Sequence, residues 1–203
     1  MFSNRLRPRA RTLTLAFLLA LSAATGLPAT AQDKREEQNR PHGTAVAVPV
    51  DKVKVDDGDT VVIAWDNGDN EIVRILGIDT PETQHIEHNI PYDQSFGREA
   101  LGFARGAFAT ATEIQIKRAP TKDPYGRSLA YLFLNGRNYS ALIVGAGLAA
   151  ESVSHYGDNG FPEEAKAVLD AAAAAGPLPF EPPFEFRNRM RKVADAMKAQ
   201  GAK

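Results

Sequence analysis

Side chains that could act on a phosphate ester fall in three short clusters of this 203-residue chain. The first is Asp57-Gly58-Asp59-Thr60, the second runs from Arg74 to Thr83, and the third runs from Asp123 to Tyr131. Carboxylates can hold a hard cation, and the planar guanidinium group of arginine matches two oxygens of a phosphate. These are the residue types needed to cleave a phosphodiester bond, because that reaction builds negative charge on the phosphate oxygens.

Arg74 is the most informative of these residues, because it interrupts an apolar strand pattern in which alternation does not require a guanidinium group. Charged groups are rarely buried without partners. Asp79 and Glu82 follow the end of that strand and are the nearest candidate partners, and Arg127 enters from a separate turn. Each cluster taken alone also fits ordinary turn and cap chemistry. Their combination predicts acidic and guanidinium groups that converge from distant parts of the chain.

The residues between the clusters predict an α+β arrangement of about five short strands and about three packed helices. Apolar residues at every second position around Val61 and Ile63 predict strands. The Asn67-Gly68 pair predicts a hairpin turn into a partner strand over 71–78. Apolar residues at helical spacing predict a helix over 93–109.

The second half of the central region predicts two more strands, over 113–118 and 128–134. A short helix is expected from Tyr139, and an alanine-rich helix over 163–175 ends at Gly176-Pro177. This order of elements is compatible with a small closed barrel.

The two ends of the chain differ from this central domain, residues 46–176. Residues 1–31 combine four arginines, an apolar run and a small-residue cleavage site, which is typical of a secretory signal peptide. We therefore expect export to the periplasm or the medium, no membrane association after cleavage, and a monomer. Residues 32–45 read as a flexible spacer, and residues 177–203 read as a Pro-rich linker and a basic C-terminal helix or tail.

Composition excludes several classes of protein. The chain has no cysteine, so a thiol nucleophile, a disulfide scaffold and a thiolate zinc site are excluded. Cleavage after Ala31 would leave 20 basic and 25 acidic side chains, a formal charge of −5. Bulk electrostatic attraction to nucleic acid is then not available, so a phosphate must be held by a few focused arginines or by a bound cation.

The three clusters, in this order and with this strand pattern, resemble the staphylococcal nuclease (thermonuclease) family over roughly residues 46–170. The resemblance implies a five-stranded OB-type β-barrel with helices packed against it. It also implies a calcium-dependent endonuclease that hydrolyses phosphodiester bonds of DNA and RNA and leaves 3′-phosphate ends. By the same resemblance Asp59, Asp79 and the backbone carbonyl of Thr80 bind one Ca²⁺.

The remaining site residues are assigned by the same resemblance. Glu82 acts as general base or positions the attacking water. Arg74 and Arg127 clamp the phosphate and stabilise the charge that develops on it, and Tyr125 lies at the substrate phosphate. Arginine suits this role better than lysine, because its fork matches two phosphate oxygens and keeps its proton.

The sequence departs from the family pattern in two places. Pro124 stands where the family often has lysine before Tyr-Gly-Arg, although Lys122 is close by. The substrate-stacking tyrosines of the family are not matched in register, since Val153 and His155 fall roughly there and Tyr156 lies one position on. Base stacking is worth about 1–3 kcal/mol per base, so substrate affinity is expected to differ.

The basic C-terminal segment lies outside the resemblance. Its positive charges could contact nucleic acid, but the spacing favours the solvated face of a terminal helix. The residues concerned are Arg187, Arg189, Arg191 and Lys192.

Three other functions stay open at this point. The first is a non-catalytic OB-fold module that binds nucleic acid, since the fold does not decide the chemistry. The second is a zinc hydrolase that uses His85 and His88 with Glu82 or Glu87, for which no third strong ligand is evident. The third is a substrate-binding lid of a larger secreted assembly.

Overall fold

The computed structural model describes residues 35–201 of the chain. The predicted signal peptide, residues 1–31, lies outside the described residues. Within 35–201, no helix combines the length and the apolar character that crossing a membrane requires.

The described residues form nine β-strands and five α-helices. The strands are β1 (Ala45–Val48), β2 (Val53–Val55), β3 (Thr60–Ala64), β4 (Asn70–Ile75), β5 (Ile78–Asp79), β6 (Ile114–Lys122), β7 (Ser128–Leu134), β8 (Arg137–Asn138) and β9 (Ala150–Glu151). The helices are α1 (Gly97–Ala109), α2 (Tyr139–Gly145), α3 (Val153–Tyr156), α4 (Pro162–Ala175) and α5 (Pro183–Gly201). Short 3-10 helices lie at Val50–Lys52 and Ile86–His88.

The main sheet curls because one bent segment lies at both of its edges. Its strand order is β1-β6-β7-β4-β3-β2, with β8 added to β7, and only the β4–β7 pair is parallel. The 3-10 turn Val50–Lys52 alone separates β1 from β2, so that segment pairs with β6 on one side and with β3 on the other. Counted as one bent strand, β1 and β2 join β3, β4, β6 and β7 in the five-stranded OB-type arrangement, and the α+β prediction is confirmed.

The core fills the inside of the curled sheet and extends to the helices packed on it. Val61 and Ile63 of β3 are fully buried, as their alternation predicts. Helix α1 contributes Ala104 and Phe108, α2 contributes Ile143, and α4 contributes Val168. The three helices predicted inside the domain therefore correspond to α1, α2 and α4. Helix α3 is a single turn of four residues, too short for the sequence pattern to predict.

The predicted strand over 71–78 is broken by a turn at Leu76-Gly77. Gly77 has φ +81, a left-handed conformation that favours glycine, and it separates β4 from the short strand β5. Strand β5 then leaves the main sheet and pairs with β9, which places Asp79 opposite Ala150. The bend therefore redirects the chain between Arg74 and Asp79.

The segment before β1 packs against the sheet, in contrast to the spacer that its polar composition suggests. The amide of Gln38 donates to the carbonyl of Pro120 at 2.8 Å, and the amide of Gly43 donates to Arg118 at 2.9 Å. The Gln38 side chain is buried and donates to the hydroxyl of Ser128 at 3.0 Å. Polar contacts hold this segment, namely backbone hydrogen bonds to β6 and side-chain contacts such as those of Gln38 with Ser128 and Arg40 with Asp69.

A buried ion pair connects β4 with β6. Arg118, which is 1% exposed, donates from Nε and Nη2 to the two carboxylate oxygens of Glu71 at 2.7 and 2.8 Å. Trp65 Nε1 donates to the same carboxylate at 3.0 Å, and Arg118 Nη1 donates to the carbonyl of Pro41 at 3.1 Å. Both charges are thus paired in the interior, as their burial requires.

We expect Glu71→Gln to lower the free energy of unfolding by about 3–5 kcal/mol at pH 7, because the buried charge of Arg118 loses its partner. Urea unfolding followed by circular dichroism measures this difference. The matched control is Glu113→Gln at an exposed position, for which the change should stay within about 0.5 kcal/mol.

The same variant tests the acid sensitivity of the pair. Burial acts to raise the pKa of Glu71, but the hydrogen bonds and charge of Arg118, together with hydrogen bonds from Ser128 and Trp65, hold that pKa below its ordinary value. A lowered pKa in the folded state stabilises the protein at neutral pH, and this stabilisation is lost as the pH falls through that lowered value. The stability difference between the native chain and Glu71→Gln should therefore shrink on acidification below pH 4.5. A difference that does not change with pH would contradict this assignment.

Candidate active site

Two strand junctions bring the first acidic residue beside Arg74. Asp59 lies in the turn that leads into β3, and the register of the sheet pairs Thr60 with Arg74 of β4. The amide of Ile75 donates to the carbonyl of Asp59 at 2.8 Å, which fixes the turn against the end of β4. The pairing of β3 with β4 therefore determines where the Asp59 carboxylate lies.

The guanidinium group of Arg74 bridges two carboxylates. Its Nη1 forms an ion pair with Asp59, and its Nη2 donates to Asp79 Oδ1 at 3.2 Å and to the carbonyl of Ile78 at 3.2 Å. All three charged side chains are largely buried. The structure thus brings together Asp59, Arg74 and Asp79, although the whole β3–β4 hairpin separates Asp59 from Asp79 along the chain.

Thr80 holds the other side of the Asp59 carboxylate. Asp59 Oδ2 accepts hydrogen bonds from the amide and the hydroxyl of Thr80, at 2.9 and 3.0 Å. Gly58 allows this approach, because a Cβ atom there would lie 2.7 Å from Thr80 Cγ2. The turn before β3 and the loop after β5 are therefore in direct contact.

Two side chains of α2 support these loops, and sequence reasoning missed both. The hydroxyl of Tyr139 donates to the carbonyl of Gly58 at 2.7 Å, and the hydroxyl of Ser140 donates to the carbonyl of Leu76 at 2.7 Å. Asn138 caps α2 by accepting from the amide of Ser140 at 3.0 Å. The Asn-Tyr-Ser sequence signals the helix start, but only the packing of α2 on the sheet directs the hydroxyls to these carbonyls.

Glu82 joins the group through an arginine from the C-terminal helix. Arg187 of α5 donates to both oxygens of Asp79, at 3.0 and 2.9 Å, and to Glu82 Oε1 at 2.6 Å. The sequence places Arg187 on a solvated helix face, and that expectation is wrong for this residue. The signal available in the sequence is the apolar spacing of Phe186, Met190 and Val193, which turns one face of α5 toward the domain.

Arg127 and Tyr125 lie at the start of β7, next to β4 in the sheet. The ion pair of Arg127 is with Asp123, from Nε to Oδ2 at 2.6 Å, and its guanidinium carbon lies 5.6 Å from the centre of the Tyr125 ring. Tyr125 is 85% exposed. Asp123 thus positions Arg127. In the described residues, Arg127 forms no ion pair with Asp59 or Asp79, the two carboxylates that Arg74 contacts.

Burial and like charges shift the pKa values within this group. Burial lowers the pKa of Arg74, the charges of Asp79 and Asp57 oppose this effect, and the charges of Arg127 and Arg187 add to it. Arg74 nevertheless stays protonated at neutral pH, because the pKa of a guanidinium group lies far above 7.

Burial also raises the pKa of Glu82, although the hydrogen bond and the charge of Arg187 act in the opposite direction. The charge of Asp79 raises it further. A raised pKa makes a carboxylate a stronger base while it is ionised. The environment of Glu82 therefore suits proton abstraction.

The donor set fits a hard cation at Asp59 and Asp79. Both carboxylates contact the same guanidinium group, so they converge on a region that accommodates positive charge. Oxygen ligands of this kind suit Ca²⁺. Within residues 35–201, no group of three or more His, Cys, Asp or Glu side chains could hold a metal ion, so the remaining ligands would be backbone oxygens, water or substrate.

The two histidines of the zinc alternative stack on each other, with ring centroids 5.5 Å apart. His85 and His88 belong to no metal-binding group in the described part of the chain. That alternative gains no support from the structure.

The sequence profile of one family, described as Staphylococcal nuclease homologue, matches residues 72–176, which is half of the chain. The chain belongs to this family. The match includes the second and third clusters of the sequence, whereas Asp59 precedes it and α5 follows it. The family predicted from the three clusters is therefore confirmed.

Three relatives of this staphylococcal nuclease homologue are named as nucleases. The Thermonuclease of Staphylococcus intermedius is 38% identical over 97 residues, which are 47% of this chain and 55% of that protein. The Thermonuclease of Staphylococcus hyicus is 35% identical over 98 residues, 48% of this chain and 55% of that protein. The SPbeta prophage-derived endonuclease YokF of Bacillus subtilis is 30% identical over 94 residues, 46% of this chain and 30% of that protein. The chain spans about half the length of the two staphylococcal relatives, and less of the third.

The start of α1 fixes the loop that carries Glu82. The amide of Gln94 donates to the carbonyl of Glu82 at 2.8 Å, and the amide of Glu82 donates to the Gln94 side chain at 3.1 Å. Gly97 packs against the same carbonyl so closely that a Cβ atom there would overlap its oxygen. Only glycine at this position lets α1 approach the loop.

We expect Gly97→Ala to lower the free energy of unfolding by about 1–3 kcal/mol, because the new methyl group forces α1 and the Glu82 loop apart. Chemical denaturation measures the change. The matched control is Gly102→Ala on the exposed face of α1, where a Cβ atom meets open space. In that control the free energy of unfolding should rise by about 0.5–1 kcal/mol, because alanine has a higher helix propensity than glycine. A Gly97→Ala variant as stable as the control would contradict the close approach.

Proposed function

We propose that this staphylococcal nuclease homologue is a Ca²⁺-dependent endonuclease that hydrolyses phosphodiester bonds of DNA and RNA and leaves 3′-phosphate ends. The observation that carries the proposal is the convergence of Asp59, Arg74, Asp79 and Glu82 from three segments of the chain. Relatives named thermonuclease and endonuclease support it at the level of the family.

Asp59, Asp79 and the backbone carbonyl of Thr80 are the groups that would hold the cation. When bound, Ca²⁺ supplies a fixed positive charge that polarises a phosphate oxygen. The chain contributes the position of these ligands, because Asp59 is held by Thr80 and Asp79 lies on β5, which is paired with β9.

Arg74 is suited to stabilise the charge that develops on the phosphate. Its contacts with Asp59, Asp79 and Ile78 engage at most three of its five N–H donors, so at least two remain for phosphate oxygens. The group is already fixed by its ion pairs, so little reorganisation is needed when negative charge develops. Arg127 would provide the second guanidinium group, with Tyr125 beside it at the surface.

Glu82 is the candidate base. Its buried position raises its pKa, as derived above, and favours transfer of a proton from water to the carboxylate. In this structure its Oε1 is held by Arg187, so a role as base requires that this hydrogen bond be exchanged for one from water.

The decisive experiment incubates the purified chain with plasmid DNA, single-stranded DNA and RNA, in CaCl₂ or in a calcium chelator. We expect cleavage of all three substrates in CaCl₂, none in chelator, and products with 3′-phosphate ends by end-group analysis. Cleavage that persists in chelator would refute the role of calcium. Binding of nucleic acid without cleavage under any condition would favour the OB-fold binding module.

We expect Arg127→Ala to lower kcat about 10²–10³-fold, because one preorganised donor to the transition-state charge is lost. Cleavage kinetics on single-stranded DNA, with circular dichroism as the test of folding, measure this effect. The matched control is Arg105→Ala, which removes an exposed arginine from α1 and should leave kcat within about twofold. Near-normal turnover of Arg127→Ala would remove Arg127 from the mechanism.

A further inference from the structure

Helix α5 places the side chain of Arg187 in the candidate active site, although the helix lies outside residues 72–176, which match the family. The family match ends at residue 176, and α5 begins at Pro183. Arg187, in the second turn of this helix, contacts Asp79 through both of its terminal nitrogens and contacts Glu82 through one of them. Asp79 is thus paired with Arg74 from within the family match and with Arg187 from a helix that follows it, and Glu82 is paired with Arg187.

Arg187 engages the same atoms that a cation would need. Both carboxylate oxygens of Asp79 accept hydrogen bonds from Arg187, and Oδ1 accepts a further one from Arg74. These three contacts take three of the roughly four acceptor sites of the carboxylate, so a cation bound there would lie against two guanidinium groups. Repulsion between these like charges favours the loss of one donor. Arg74 is held in the sheet and also pairs with Asp59, so Arg187 is the donor that can leave.

The way in which α5 is attached makes that departure possible without opening the core. Phe186 and Met190 pack with Ile90 in a small apolar cluster, with half-buried Val193 beside it, and this cluster is separate from the main core. The exposed polar contact of Lys198 with Asn89 holds the far end of the helix. Displacement of α5 would thus expose few apolar side chains and leave the barrel intact.

We infer that Arg187 is a built-in competitor for the cation at Asp79, so that α5 must release Asp79 and Glu82 before the site can be loaded. The inference rests on the proposed function, because it takes the cation site from there. In this closed form two guanidinium groups, those of Arg74 and Arg187, pair with the three carboxylates of the site. A divalent ion and Arg187 then compete for Asp79. Contact of Arg187 with Asp79 lowers the affinity for the ion, and the ion disfavours that contact by the same factor.

The test is titration of the full chain with CaCl₂ by isothermal calorimetry, for the native sequence and for Arg187→Ala. We expect Arg187→Ala to bind Ca²⁺ about tenfold more tightly, because the ion no longer has to displace a guanidinium group. Arg187→Lys, which keeps the charge but loses the paired contact with Asp79, should show a smaller gain. The matched control is Arg191→Ala, which removes an equal charge from an exposed position of α5 and should bind like the native chain.

A second readout follows the helix itself. In hydrogen–deuterium exchange, CaCl₂ should speed the exchange of α5 amides in the native chain while those of β3 and β4 stay protected. Arg187→Ala should show fast α5 exchange with or without CaCl₂. Equal Ca²⁺ affinity of Arg187→Ala and Arg191→Ala, weaker binding by Arg187→Ala, or no binding by it would each overturn the inference.

The outcomes separate this inference from the proposed function. If the native chain cleaves DNA only in CaCl₂ but Arg187→Ala binds the ion no more tightly, the nuclease proposal stands and the competitor role is lost. If Arg187→Ala binds more tightly but neither chain cleaves nucleic acid, the competitor role stands and the nuclease proposal fails.

Discussion

The pairing of buried charges is the constraint on which this structure depends. The guanidinium group of Arg74 lies between two carboxylates from different loops, and each of these groups would be costly to bury alone. The strands of the barrel must therefore be in register, and the bend at Gly77 must be made, before Asp59 and Asp79 can reach the same arginine. The strand pairing that forms the fold therefore also pairs the buried charges of the site.

Uncharged groups of helices α1 and α2 hold the loops on which these charged side chains lie. Hydroxyl groups of α2 hold the carbonyls of Gly58 and Leu76, and Gly97 at the start of α1 packs against the carbonyl of Glu82. Each of these contacts ties a loop backbone to a helix that is packed in the main core. These contacts fix the loops that bear the acidic groups, which is what a preorganised site requires.

The fold class could be predicted from the sequence for a clear physical reason, and the convergence of Asp59, Arg74 and Asp79 agrees with the three clusters. Strand alternation, helical spacing and Asn-Gly turns are local signals, and the three clusters keep their order along the chain. The contacts of Tyr139, Ser140 and Arg187 depend on which helix face meets which loop, and no local pattern encodes that choice. The packing of the segment around Gln38 has a related cause, because it depends on hydrogen bonds to distant strands that a polar, aperiodic sequence does not reveal.

The bent segment that forms β1 and β2 has a further consequence. A sheet that ends in free strands offers unpaired amides and carbonyls to neighbouring molecules and invites intermolecular β-pairing. Here one continuous stretch of chain occupies both outer positions of the strand order, and each of its two pieces is at most four residues long. Both edge strands are therefore short, which limits the length over which a neighbouring molecule could add a strand to the sheet.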